Sequence, residues 1–354
     1  MTATPLVNLA ALIDDAKCFL ISLQTHPAWA RIGAGSVVKG GTAVAVKLAA
    51  RAKGLSEAEF GAAFGTEEQC QAALEKLRWP RGFACPACGH GGHAWLAGRG
   101  LYQCNRCKRQ VSLTAGTIFH ATKLPLTTWF LAIHLVATAK NGISSIELGR
   151  RLGIKQTSAW TLKQKIMQVM LTREAAKPLG GRVELDDAYL GGERSGGKRG
   201  RGAAGKTPFV AAVETTPERR PRKLKLLPVK GFRKREVERL ARQHLASGAT
   251  VVSDGLSCWT AVEAAGCAHE PMVTGSGKQA ARRAPFKWVN TTLGNVKAAI
   301  VGTYRQLSPA HAARYLASFA WRFNRRFQLE TMLPRFLHSA ARTNPLPYRL
   351  LTAG

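Results

Sequence analysis

The stretch "RVELDDAYLGG", residues 182–192, sets Asp186 and Asp187 in an apolar run of β character, within a chain that carries 52 Lys+Arg against 21 Asp+Glu. It also marks a change of pattern. From Gly181 onward short β-like runs, "RVELDDAYL", "PFVAAVETT", "KLKLLPV" and "ATVVSDG", alternate with helical ones, "KREVERLARQHLA" and the segment around 290–302. That alternation predicts an α/β domain whose strands carry polar residues at their ends. "ATVVSDG" places Asp254 at the C-terminal end of one such strand.

In so basic a chain, carboxylates on strands need a reason. Two of them can hold divalent magnesium or manganese through hard oxygen ligands, and a pair of such ions suits in-line displacement at a phosphodiester. A plainer reading stands beside this one. Asp186 or Asp187 would form a structural ion pair, and Ser253-Asp254-Gly255 would be a turn.

The 354 residues suffice for two or three domains, and a hydrophobic fraction of 45% can fill ordinary cores. The formal charge of +31 predicts salt-dependent attraction to a polyanion, nucleic acid before an anionic membrane. No stretch approaches the roughly 18 apolar residues of a membrane span. Pro125–Ala139 comes nearest and contains His134. Asp14, Asp15 and Lys17 break the early apolar run, so no signal peptide is expected and the protein is placed in the cytoplasm, associated with the nucleoid. Thiols stay reduced there, and closely paired cysteines point to metal.

Cys85, Cys88, Cys104 and Cys107 fit C-x2-C-x15-C-x2-C, the spacing of a zinc ribbon, in which two knuckles complete a tetrahedron of thiolates around Zn²⁺. Four thiolates already close a structural site, so His90 and His93 are read as surface or supporting residues. Cys18, Cys70, Cys258 and Cys267 lack such pairing and read as buried thiols.

Between ribbon and strands the pattern is helical. "LPLTTWFLAIHLVATAKNG" forms one helix closed by Asn141-Gly142, "SSIELGRRLG" a second stopped by Gly153, and "KQTSAWTLKQKIMQVML" a third. The last two have the layout of a helix-turn-helix, with Ile146, Leu148 and Leu152 as its apolar face. Gln156, Thr157 and Ser158 would meet base edges, and Arg150, Arg151, Lys155, Lys163 and Lys165 would meet phosphates. A plain helical bundle explains the same pattern.

In "FKWVNTTLGNVKAAIVGTYR", Asn290 and Lys297 lie seven residues apart and so share a helix face. With this segment in view the chain resembles bacterial insertion-sequence transposases of the zinc-ribbon DDE type. The likeness runs from about Phe60 to about Phe336. It rests on "TEEQCQAALEKLRWPRGFACPACG" (66–89), "SLTAGTIFHATKLPLTTWFLAIHL" (112–135), "VELDDAYLGG" (183–192), "VVSDG" (251–255), "WVNTTLGNVKAAIVGTYR" (288–305) and "YLASFAWRFNRRF" (315–327). The resemblance implies a multidomain α+β protein with a ribonuclease-H-like catalytic domain. It implies Asp186 and Asp254 as first and second acidic ligands of two Mg²⁺ or Mn²⁺ ions. Asn290 falls where many relatives have a third carboxylate, and Lys297 matches the basic residue two turns on. Arg305 would add charge towards DNA. An amide brings no negative charge, and no Asp or Glu occurs between Pro271 and Leu329 to replace it.

The expected organisation is a region of unknown role over 1–55, a helical lead-in over 56–80, the zinc ribbon over 81–113, and a helical DNA-binding section over 114–178 with its helix-turn-helix at about 144–170. A ribonuclease-H-like domain follows over 179–345. The residues themselves point to metal-dependent phosphodiester chemistry, and the resemblance implies DNA strand cleavage and strand transfer. Its partners would be double-stranded DNA, as terminal inverted repeats and as target, and further copies of the chain; no membrane is involved. The rival is a catalytically decayed or repurposed transposase acting as a DNA-binding protein. A zinc-ribbon RNA-binding protein stands further off, because no aromatic RNA-reading signature is present.

Overall fold

The structure, a computed structural model, describes residues 54–191, 206–272, 286–305 and 307–352. The N-terminal region and the Gly-rich basic stretch at 191–206, for which a loop near phosphates is expected, lie outside these residues apart from their edges, as does Cys18. Among these residues two compact units emerge, one running to His134 with Phe327–Leu346, the other of Leu135–Arg326 with the described residues from Pro347 on. The described residues form a mixed α and β protein with two separate sheets. Among the described residues no helix is long and apolar enough to cross a membrane.

The first unit opens with helices α1 (Glu57–Phe64) and α2 (Glu67–Arg78). Each begins in a reciprocal capping box, Ser56 with Glu59 and Thr66 with Gln69, an arrangement whose cap side chain is worth about 1 kcal/mol. Three short antiparallel strands follow, β1 (His93–Leu96), β2 (Leu101–Cys104) and β3 (Gln110–Ser112). Their apolar support is a small aromatic cluster. Trp79, Phe83, His93 and Trp95 all pack around Tyr102, with ring centres between 4.8 and 5.7 Å away. Helix α3 (Leu126–Thr138) starts with exposed backbone donors, and Glu67 takes two of them, accepting from Leu126 N at 2.9 Å and Thr127 N at 3.1 Å. Buried Phe60, Phe64, Leu74 and Phe130, together with the apolar side of the helix Met332–Ala340, supply its core.

The second unit begins with α4 (Ser145–Leu152) and α5 (Gln156–Ala175). Gly153 adopts φ 65°, the left-handed conformation that ends a helix most cheaply in glycine. Close approach also requires Gly149, since a Cβ there would stand 3.0 Å from the Ile154 carbonyl. The sheet that follows contains β4 (Arg182–Leu190), β5 (Thr207–Thr215), β6 (Pro221–Pro228), β7 (Thr250–Ser253) and β8 (Ala268–Pro271), in the order β6-β5-β4-β7-β8. The pairs β4–β5 and β5–β6 are antiparallel, while β4–β7 and β7–β8 are parallel. "AHEP" carries no strand signal of its own; β8 exists because β7 offers it a ladder.

Strand alternation assigns the two faces. Phe209, Ala211 and Val213 of β5 face one core together with α7 (Lys287–Ala299) and α8 (Ala312–Asn324). Val210 and Ala212 face another, with α6 (Lys234–His244) and the 3₁₀ segment Ser257–Ala265. With helices on both faces, the middle of β5 is wholly buried and reads as an unbroken apolar run. Glu184, Asp186 and Ala188 alternate with Val183 and Leu185, so Asp186 belongs to the α7 side. The start of "WRFNRRF", residues 321–327, packs into the fold. Trp321 has no exposed surface, and the Asn324 side chain clamps Leu224 by accepting from its N at 2.7 Å and donating to its O at 3.0 Å.

Candidate metal centres

Register brings the acids together. Arg182 pairs with Thr250, Val183 with Val251 and Glu184 with Val252 across the parallel β4–β7 ladder. Carried two residues further, the same offset sets Asp186 beside Asp254, just past the end of β7 at Ser253. One carboxylate oxygen each from Asp186, Asp187 and Asp254 lies within 4.8 Å of the others. Asp254 is held in place: its Oδ1 accepts from Leu256 N at 3.1 Å, a turn bond, and from the indole of fully buried Trp259 at 3.0 Å. The turn reading of Ser253-Asp254-Gly255 is therefore correct as local structure, and the turn aims the acid at its neighbours.

Burial, and then the Asp187 carboxylate beside it, push Asp186 up to about 7. The Asp187 N–H, donating to Asp186 Oδ1 at 2.8 Å, works against the rise, Asp254 adds to it, and Lys297 again opposes it. Three hard oxygen donors so close, one of them reluctant to ionise alone, suit a divalent cation that would compensate their mutual repulsion. Asp187 is the member that the sequence reading left out. Strand alternation sends adjacent residues to opposite faces. The doubled Asp was the only available signal.

Helix α7 carries the remaining two candidates. Asn290 is half-buried in its first turn, directly after Val289, whose N–H bonds to Glu184. Lys297 is exposed two turns on, and its charge acts on Asp186. Beyond the helix a π-turn over Ile300–Tyr304 leads to Arg305, exposed at φ 60°. Glu184 itself has no exposed surface; burial raises its carboxyl, against which the bonds from Val289 N, the Arg182 side chain and Trp288 N act.

In the ribbon the two Cys-x-x-Cys turns are backbone copies of each other. Cys85 N donates to His90 O and its carbonyl accepts from Gly89 N; Cys104 N donates to Arg109 O and its carbonyl accepts from Lys108 N. Gly89 and Lys108 both take positive φ, 72° and 56°, as the turn requires. Sγ separations of 3.6 Å for Cys85–Cys107 and for Cys88–Cys104 gather the four thiols as a tetrahedral zinc site would. Backbone N–H groups of Ala87 and Cys88 hold Cys85 down to about 6, and those of Cys107 and Arg106 lower Cys104. Cys107 accepts from Arg109 N, which lowers it, yet burial and the neighbouring thiols push it up to about 11. Four such thiols resist joint ionisation unless a cation shares them. His90 and His93 are exposed and stay outside the quartet, with the His93 ring against Phe83 at 4.7 Å.

Of the residues assigned to DNA in the helical pair, Arg150, Arg151, Lys155, Gln156 and Thr157 are exposed and Ser158 is half-buried. Arg151 pairs with Glu147 at 2.8 Å, and the Gln156 amide donates to Ser145 Oγ at 2.9 Å. Lys163 requires correction as a phosphate contact: only 1% of it is exposed, and its ammonium sits over the rings of Tyr304 and Tyr315. Ile146 requires correction too, being 55% exposed where an apolar face was expected. Trp160 packs edge-on against His311 at 5.3 Å.

Comparison with known proteins bears on both centres. Residues 178–324 match the ISXO2-like transposase domain, and residues 65–110 match the transposase zinc-ribbon domain. The chain is also similar to an uncharacterized protein in transposable element ISH50 of Halobacterium salinarum, 25% identical over 215 residues that cover 55% of this chain and 70% of that protein.

Proposed function

We propose that this chain, which carries a transposase zinc-ribbon domain and an ISXO2-like transposase domain, cuts and joins DNA at the ends of a mobile element. The observation that carries this is the convergence of Asp186, Asp187 and Asp254 on one another inside the matched domain. The strand order β6-β5-β4-β7-β8, antiparallel on one side and parallel on the other, supports a ribonuclease-H-like arrangement with the acids on its central strands.

When bound, divalent magnesium or manganese would supply Lewis-acid stabilisation of the attacking and leaving oxygens at a phosphodiester. Asp186 and Asp254 would hold it, with Asp187 within reach as a further carboxylate and Asn290 offering a neutral amide oxygen. Lys297, exposed on the same helix, would meet a phosphate of the strand being cut. Cys85, Cys88, Cys104 and Cys107 would hold structural zinc and so fix the ribbon's basic surface. Gln156 and Thr157 at the start of α5 would read base edges, with Arg150 and Lys155 on phosphates.

The test is a cleavage and strand-transfer assay on duplex DNA carrying the ends of the chain's own element, with Mg²⁺ or Mn²⁺. The parent should yield 3′-hydroxyl ends and joined product, and Asp254→Ala and Asp186→Ala should yield neither. Equal product from parent and Asp254→Ala removes that residue from the mechanism. A parent that binds such DNA without cutting it favours the binding protein, the reading that the neutral Asn290 motivates.

A further inference from the structure

We propose that Glu184 is a positioning residue for the acidic centre: its buried carboxylate fixes the first turn of α7, and with it the Asn290 amide, relative to Asp186 and Asp254. This rests on the reading of Asn290 as a ligand given above.

Helix α7 lacks a cap of its own. Its N-cap residue is Phe286, which provides no side-chain bond to the free N–H groups of the first turn. A residue more than a hundred positions away in the chain provides them instead. Glu184 Oε2 accepts from Trp288 N and from Val289 N, each at 3.0 Å. Its other oxygen, Oε1, accepts from the Arg182 guanidinium at 3.1 Å, so both oxygens already have partners. Asn290 is the next residue after Val289 along the helix.

Two physical consequences follow from that placement. Glu184 and Asp186 are two apart on one strand and share a face, about 7 Å apart along β4. Any tilt of the strand relative to the helix is therefore resisted by the Glu184 bonds close to the acids themselves. The second consequence is electrostatic. A helix N-terminus carries about half a positive charge, which would oppose a dication nearby, and the Glu184 carboxylate neutralises it at the point of contact. Asn290 attracts a cation only through an amide dipole, so its contribution depends on placement more strongly than a carboxylate's would. No carboxylate between Pro271 and Leu329 could take over either duty.

The experiment is Mn²⁺ titration of the full chain without DNA, read as free Mn²⁺ by electron paramagnetic resonance, for the parent, Glu184→Gln, Asn290→Ala, the double variant and Asp186→Ala. Glu184→Gln should weaken Mn²⁺ binding roughly tenfold, in the range of supporting residues around metal ligands. The double variant should bind no more weakly than the weaker single variant, because both changes remove one contribution. An unchanged affinity in Glu184→Gln, or losses that multiply in the double variant, overturns the proposal while the centre itself stands. Undiminished binding in Asp186→Ala overturns the centre and the proposal with it. Should Glu184→Gln fail to fold, Glu184→Asp keeps the charge but withdraws it from Trp288 N and Val289 N, and should weaken Mn²⁺ binding in the same non-multiplying way with Asn290→Ala. Unchanged affinity in that variant is equally decisive against the proposal.

Discussion

The Lys163 ammonium lies 4.1 Å from the centre of the Tyr304 ring and 4.7 Å from that of Tyr315, in a site that is almost wholly buried. Burial, with the positive charge of Arg322 adding to it, pushes this lysine down to about 7. A base whose folded value lies below its unfolded one binds fewer protons folded than unfolded, so folding stability rises as pH climbs from about 7 towards 10. Lys163→Met should stabilise the protein at pH 7 by about 1–4 kcal/mol, the range seen when buried ionic groups give way to apolar ones. The gain should shrink by pH 10, where the folded lysine is neutral and no charge is left buried. Chemical denaturation of both proteins at the two pH values measures it.

DNA binding separates the exposed cations from this buried one. Arg150→Ala and Lys155→Ala should each lower the slope of log K against log salt by about one on any duplex, while Lys163→Met leaves it unchanged. Fluorescence anisotropy over 50–300 mM salt provides the slopes. A slope reduced in Lys163→Met would mean that the side chain leaves its aromatic site to reach a phosphate.

Asp186, raised to about 7, gives the metal-free protein a pH signature of opposite sense. An acid whose folded value exceeds its unfolded one favours the fold while protonated, so stability contributed here is present below about pH 4 and lost as pH rises through 7. Mn²⁺ should reverse the trend, raising the melting temperature more at pH 8 than at pH 5.5. Binding at pH 6.5 should release protons, detected calorimetrically as a dependence of the binding heat on the buffer's ionisation enthalpy. Asp186→Asn should remove the buffer dependence.

The ribbon should hold one zinc per chain in protein prepared without chelator, counted by elemental analysis. Its aromatic cluster is small, so metal binding should contribute much of the folding energy of this segment. Cys104→Ser should lose the zinc and expose the stretch from Arg81 to Leu113 to proteolysis. Protein that stays zinc-free and protease-resistant would defeat the assignment.

Gly142 adopts φ 85°, and a Cβ on it would overlap the hydroxyl of Tyr304. Gly142→Ala should cost about 1–3 kcal/mol, from the positive φ and from the displaced ring together. Adding Tyr304→Phe should return part of that cost, because the overlap is with the hydroxyl, and leave the part due to φ. Thermal unfolding of the two variants separates the shares.

The parts of this protein that were legible in its sequence are those written in local periods and fixed spacings. The alternation of "RVELDDAYL" gave β4, glycines at 142 and 153 marked helix ends, and the cysteine spacing gave the quartet that the thiol geometry matches. The rest depends on long-range contact. Glu67 and Glu184 each serve a helix far along the chain, Lys163 turns inward because two tyrosines arrive from distant segments, and Asp187 joins the acids against the expectation of strand alternation. For such residues the identity of the side chain restricts the options, and only tertiary neighbours choose among them.

The end of α7 has a consequence for anyone wishing to retarget this protein. Past Lys297 its π-turn sends Thr303 Oγ1 to the Asn141 carbonyl at 3.3 Å and lays Tyr304 against Gly142, in the turn that leads into α4. The segment proposed to recognise sequence is thus built onto the helix proposed to serve the chemistry. It is no detachable cassette. Grafting α4 and α5 from a relative would transplant half of a joint, and a working chimera should have to bring the matching partners of Asn141, Gly142 and Lys163 along with the foreign helices.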